Sequence, residues 1–215
     1  MDGATALFTD RRGGVSEGPF ASLNLGRLTG DDEARVDANR ERLAGRLGVP
    51  WERVRWARQV HGTDVSRGDR EEADAQVVTE PGAPALVFVA DCLPIAVVGR
   101  GCAAMLHAGW RPLAGGIVAR GVAELEGPLR AVIGPGIGAC CYEVGDEVRA
   151  RFPDEAARGR HLDLKLAARR ALEDAGVHEV HDVDLCTACH PELFFSHRRD
   201  EGVTGRQAGV VWLRG

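Results

Sequence analysis

Three side chains suited to a borderline-soft cation each follow an apolar run: His61 after 54–60, Cys92 after 85–90 and His107 after 102–106. Ends of separate strands are places where side chains from distant segments converge on a rigid frame. Imidazole and thiolate together suit zinc, and three protein ligands leave a fourth tetrahedral position for water or substrate. Water on such a centre loses its proton near neutral pH, so the trio predicts an open, catalytic metal site. Gly62 and Gly109 allow close backbone approach. Asp91, just before Cys92, is placed to orient a ligand or to carry a proton. The ligands are spaced too widely for a compact zinc finger. The plainer alternative is a packed core, where free cysteine is among the most buried residue types.

Other chemistry-bearing motifs are weaker. Cys186-Thr187-Ala188-Cys189-His190 is a CxxCH, the attachment pattern for c-type haem. Haem attachment normally needs export, and no export signal stands in the sequence. Cys140-Cys141 lacks the spacing that would complete a zinc ribbon with it. Gly134-Pro135-Gly136-Ile137-Gly138 lacks the full GxGxxG spacing and reads as a tight turn. His161, His178, His181 and His197 show no ligand spacing among themselves.

The positioning elements follow from periodicity and punctuation. A helix is expected from Glu33 to Leu47, capped by Asp31 or Asp32 and ended by Gly48 and Pro50. Alternation over 54–60 predicts a half-buried strand running into His61. The runs 85–90, 95–98, 102–106, 129–133 and 209–213 read as strands, and Phe8 as a strand end before a loop. Pro112 suits the first turn of a helix reaching to about Leu125. Further helices are expected at 144–152 and 164–175, and 153–160 as a polar loop tip. Without regular βαβ alternation, linker or repeat, the expectation is α+β: one domain over 1–215, a mixed sheet flanked by helices, the metal site at strand ends.

Of the 215 residues, 44% are apolar, enough for a sizeable core. The net charge of −5 and the absence of a Lys/Arg block argue against a nucleic-acid partner. No apolar run approaches a bilayer span, and the first residues lack a basic-then-apolar leader. A cytoplasmic setting is therefore expected, in which the six cysteines are thiols, ligands or nucleophiles and not a disulfide framework. The sequence leaves the oligomeric state open.

Several blocks, in order, extend over nearly the whole chain. Gln59-Val60-His61-Gly62, Ala90-Asp91-Cys92-Leu93-Pro94 and His107-Ala108-Gly109-Trp110-Arg111 are joined by FTDRRGGVS at 8–16, SLNLG at 22–26, CCYEVG at 140–145, FFSHRR at 194–199 and TGR at 204–206. Together they resemble the laccase-domain family, once described as multicopper polyphenol oxidoreductases and now usually as purine nucleoside phosphorylases. The resemblance implies that His61, Cys92 and His107 hold one zinc. It also implies phosphorolysis of adenosine, inosine and methylthioadenosine, with deamination of adenosine. The partners would be a small-molecule nucleoside and phosphate. Arg11, Arg111 and Arg206 become phosphate candidates by block membership, since guanidinium suits phosphate. Pro112 departs from the family's usual glycine and removes an N–H that could meet phosphate. Three other functions compete. A copper phenol oxidase would use the same His₂Cys set, but a trinuclear cluster needs further histidines and only five scattered ones remain. A hydrolase would use Cys92 as nucleophile with His107 or His61 as base. A non-enzymatic binding module would leave the trio without a purpose.

Overall fold

Asp32 and Gly48 bracket the first long helix as the caps predict. The Asp32 carboxylate accepts the Arg35 N–H, and Gly48 adopts the left-handed conformation that closes α1 (Glu33–Leu47). The computed structural model describes residues 3–68 and 71–215, so Met1 and Asp2 of the N-terminal stretch lie outside the described residues. The strands, in chain order, are β1 (Ala4–Phe8), β2 (Val65–Ser66), β3 (Ala75–Val78), β4 (Ala85–Val89), β5 (Leu93–Val98), β6 (Ala103–Ala108), β7 (Arg130–Ile133), β8 (Ala157–Arg158), β9 (His161–Leu162), β10 (Glu179–Asp182) and β11 (Gln207–Leu213). The remaining helices are α2 (Trp110–Ala114), α3 (Ile117–Ala123), α4 (Asp146–Arg149) and α5 (Leu164–Asp174).

These elements stack in four layers. A mixed six-stranded sheet, ordered β10-β7-β5-β6-β3-β2, faces a three-stranded antiparallel sheet ordered β1-β11-β4. Ala96, Val98, Ala103 and Met105 of the large sheet pack between the two sheets against Val87, Val89 and Val211 of the small one. The other face of the large sheet carries Leu93, Ile95, Val97, Ala104 and Leu106, covered by α3 and α5 through Ile117, Val118, Ala168 and Leu172. The outer face of the small sheet is covered by Leu43 of α1 with Leu23, Leu25 and Val54. β5 is buried at every position and sits centrally, which is why it reads as an uninterrupted apolar run. The architecture is mixed α+β, as expected.

Some expected elements fold differently. The alternating 54–60 stretch forms no continuous strand. It makes isolated bridges, Arg55 to Ala85 and Arg58 to Glu72. Just after them the Gln59 carboxamide takes the place of a backbone partner. It donates to Phe88 O at 2.8 Å and accepts the Phe88 N–H at 2.7 Å. The helix expected from Pro112 to Leu125 is two helices, because Gly116 at φ 90 breaks it between α2 and α3. The helix expected at 144–152 shrinks to the single turn of α4. The polar loop tip at 153–160 contains a 3-10 turn and β8, paired with β9. His107 lies inside β6, not after it.

Candidate metal centre

Each member of the trio arrives on a different piece of backbone. Cys92 stands in the three-residue crossing from β4 in the small sheet to β5 in the large one. His107 is buried in β6 opposite Pro94. His61 lies on the loop after the extended 54–60 segment. His61 and Asp91 both have left-handed backbone, at φ 58 and φ 88. Such conformations cost about 1–3 kcal/mol each in a non-glycine residue and persist where the surroundings over-determine them. Here they do. The Asp74 carboxylate accepts the backbone N–H groups of Val60, His61 and Gly62 at 3.1, 3.1 and 2.7 Å. The Asp91 carboxylate accepts Thr187 Oγ1–H at 2.6 Å and the Arg198 N–H at 2.7 Å.

The potential donor atoms of His61, Cys92 and His107 all lie within 4.8 Å of one another. Cys92 Sγ is 4.0 Å from His61 Nε2, and the two imidazole rings meet edge-on with centroids 4.8 Å apart. Donors around a tetrahedral zinc stand about 3.4–3.8 Å apart, so a small inward adjustment brings the three onto one ion. The chemistry of the set fits as well. His107 Nδ1 is held 2.6 Å from Asp74 Oδ1, leaving Nε2 as the ligand atom in a carboxylate–histidine–metal arrangement. Burial pushes the Cys92 thiol up, but His107 and His61 beside it bring it down to about 6, which favours the ligating thiolate. Burial pulls His107 down, and the Cys92 thiolate and the Asp74 carboxylate outweigh it, raising the imidazole to about 9. Asp74 is pushed up by burial, yet the hydrogen bond to His107, the charge there and the backbone N–H groups leave it below the usual range. Gly109 supplies the remaining room. A Cβ there would stand 2.8 Å from Cys92 Sγ and 3.4 Å from the His61 ring.

The trio opens into a cleft of about 850 Å³. Its apolar walls include Phe88, Trp110 and Tyr142, and its cations include Arg111, Arg198 and Arg206. Arg111 lies 4.4 Å from the centre of the Trp110 ring and Arg198 5.2 Å from that of Tyr142. Arg206 is anchored by NH1 donating to Thr204 O and Gly205 O. Arg11 lies elsewhere. It does not line the cleft; its Nε donates to Ala21 O, its NH1 to Pro191 O, and its guanidinium stacks 4.5 Å from the centre of Phe195. Its charge is spent on pinning loops. Pro112 lies buried in α2, behind the wall formed by Trp110 and Arg111.

Two features escape sequence reasoning. Asp74 lies in a stretch rich in acidic residues that looks solvated, yet the side chain is fully buried. The second is a cysteine group. Cys140 and Cys141 do come together with Cys186 and Cys189, against the argument from linear spacing. A parallel bridge between Gly136 and Cys186 joins the two segments, and no ribbon spacing encodes it.

A two-histidine, one-cysteine cluster able to hold a metal ion therefore lines an arginine-bearing cleft in an α+β fold. Residues 5–214 match the family described as multi-copper polyphenol oxidoreductase laccase, and the chain belongs to that family. It is 40% identical over 249 residues to the purine nucleoside phosphorylase YlmD of Geobacillus stearothermophilus, covering 99% of this chain and 91% of the relative. It is 39% identical to the purine nucleoside phosphorylase YfiH of Escherichia coli, covering 98% and 94%. The crystal structure of YlmD from Geobacillus stearothermophilus superimposes with a TM-score of 0.91 at 39% identity, over 100% of this chain and 93% of that one. That of Neisseria meningitidis protein NMB0706 gives 0.91 at 36%, over 100% and 96%.

Proposed function

We propose that this chain is a zinc-dependent purine nucleoside phosphorylase acting on adenosine, inosine and methylthioadenosine, with adenosine deaminase activity at the same site. The carrying observation is the convergence of His61, Cys92 and His107 at the floor of a cleft wide enough for a nucleoside. The names of the relatives, at about 40% identity over the whole chain, support the same reading.

The residues divide the work. His61, Cys92 and His107 hold the ion, which when bound supplies Lewis acidity at the reacting end of the cleft. Asp74 fixes the His107 ring and the backbone carrying His61. Asp91, with both carboxylate oxygens engaged, orients the Cys92 crossing and the Arg198 backbone; that favours positioning over proton carriage. Phosphorolysis needs phosphate held beside C1′ of the ribose, and Arg111 and Arg206 are the cleft cations for it, since a guanidinium can offer paired donors to phosphate oxygens. Deamination removes the amino group from C6 of adenine and needs the purine to enter with that edge towards the metal centre. Trp110, Tyr142 and Phe88 offer stacking surfaces for the base. No helix of the described residues is long and apolar enough to cross a membrane.

Zinc is preferred over copper because among the described residues the other metal-capable group is made of cysteines alone. No histidine set stands by to build a trinuclear copper cluster. The test is incubation of the purified protein with a nucleoside panel, with and without phosphate, beside elemental analysis. Phosphate-dependent release of free base, lost together with the metal bound by the His61, Cys92 and His107 set in His61→Ala and Cys92→Ala, is the expected result. Full turnover by a double variant with no metal at this set would falsify the reading.

A further inference from the structure

On the far side of the Tyr142 wall, the Cys140-Cys141 doublet meets the Cys186–Cys189 pair. One ligand atom from each lies within 4.8 Å of all the others. Cys189 Sγ is 3.5 Å from Cys140 Sγ and 3.4 Å from Cys141 Sγ. A zinc–sulfur bond of about 2.3 Å in a tetrahedron places its sulfurs about 3.8 Å apart, so these separations are those of one coordination shell. They are far longer than the roughly 2.0 Å of a disulfide, and all four cysteines are free.

The backbone is arranged as such a site requires. The Gly138 N–H donates to Cys186 Sγ at 3.2 Å, and the Cys189 N–H also acts on that sulfur. N–H groups aimed at sulfur stabilise a thiolate over a thiol. Gly136 and Cys186 pair as a bridge, with Thr187 N–H donating to Gly136 O at 3.0 Å. Gly138 is tight against the cluster: a Cβ there would lie 3.3 Å from both Cys140 Sγ and Cys186 Cβ. Four thiol groups left as thiols could satisfy one another only weakly. Four thiolates without a cation would repel one another strongly.

We propose that Cys140, Cys141, Cys186 and Cys189 form a second, structural zinc site. Four sulfur ligands close the coordination shell, so this ion takes no part in turnover. It fastens two segments that both serve the cleft. One carries Ile137 and Tyr142 of the wall; the other carries Thr187, which holds the Asp91 carboxylate. The site is independent of the catalytic reading above, since it shares no ligand with the first centre.

The test is zinc stoichiometry in three purified proteins. The native chain should carry about two ions, His61→Ala/Cys92→Ala about one, and Cys186→Ser/Cys189→Ser about one. If the serine variant does not fold, the His61→Ala/Cys92→Ala protein is loaded with cobalt. Intense sulfur-to-cobalt charge-transfer absorption, and d–d bands of tetrahedral strength, are then expected from a protein whose first centre is gone. Thiol counting supplies the opposing outcome. The proposal falls if His61→Ala/Cys92→Ala binds no metal, if it binds iron or copper in place of zinc, or if Cys189 is found in a disulfide with Cys140 or Cys141.

Discussion

Asp74 Oδ1 stands 2.6 Å from His107 Nδ1 and 3.1 Å from the His61 N–H, so one buried carboxylate oxygen aims two of the three ligands. Asp74→Asn keeps the volume but replaces an acceptor with a group that is half donor. Metal affinity at the first centre should fall about 10–100-fold, as for other partners of metal-bound histidine. Titration against a competing chelator measures it, and an unchanged affinity would remove Asp74 from the ligand scaffold.

Gly109 has ordinary extended backbone at φ −71 and ψ 172, so alanine fits the chain conformation there. Only the added methyl is at issue, 2.8 Å from Cys92 Sγ. Gly109→Ala should therefore fold with native thermal stability to within about 1 kcal/mol and still lose at least about tenfold in metal affinity. A collapse of stability with affinity intact would show that the glycine serves packing instead.

The arginines separate by placement. Arg111→Ala should raise the KM for phosphate by about tenfold or more with a smaller change in kcat, the pattern of lost binding. Arg11→Ala should leave that KM alone and cost about 1–2 kcal/mol of stability, through the Phe195 contact and two carbonyl hydrogen bonds. Steady-state kinetics beside thermal melts distinguish them; a phosphate defect in the Arg11 variant would contradict its position.

Asp200 is pushed up by burial, but Arg199 and the Thr204 hydroxyl more than offset this and hold its pKa below the usual carboxylate range. A carboxyl depressed in the folded state stabilises above its unfolded value, near 4, and that contribution fades as pH falls through the folded value. Asp200→Asn should therefore be less stable than the parent by about 1–2 kcal/mol at pH 7. The gap should close below about pH 4. Denaturant melts at both pH values decide it.

Gln76 is 1% exposed on β3, and both polar atoms of its carboxamide lack a hydrogen-bond partner among the described residues. It alternates onto the face of Val78, towards the layer between the sheets. Gln76→Leu should raise stability by about 1–3 kcal/mol. A destabilised variant would point to a bridging water in that layer.

The sequence made much of this legible where one segment settles its own structure. The helix from Glu33 to Leu47 announces both caps, and the uninterrupted apolar run of β5 marks a strand buried on both faces. The trio could be named because each member terminates or closes an apolar run. Asp74 could not, because acidic neighbours disguise a carboxylate whose partners lie 12 to 33 residues away. The 54–60 segment misled because alternation reports burial and not pairing, and a glutamine side chain filled the pairing slot. The four-cysteine group stayed hidden because the bridge between Gly136 and Cys186 spans a separation that no local pattern encodes.

Ala90, Asp91 and Cys92 are the only residues between β4 of the small sheet and β5 of the large one. Any slip of one layer over the other is therefore transmitted directly into the crossing that holds the cysteine, while His107 stays within the interior strand β6 of the large sheet and His61 on the loop held by Asp74. The grip of these three side chains on a bound ion would thus gauge how well the two sheets are seated on one another. Mutations deep between the sheets, far from any ligand, will register first as weakened metal retention, before they register as unfolding.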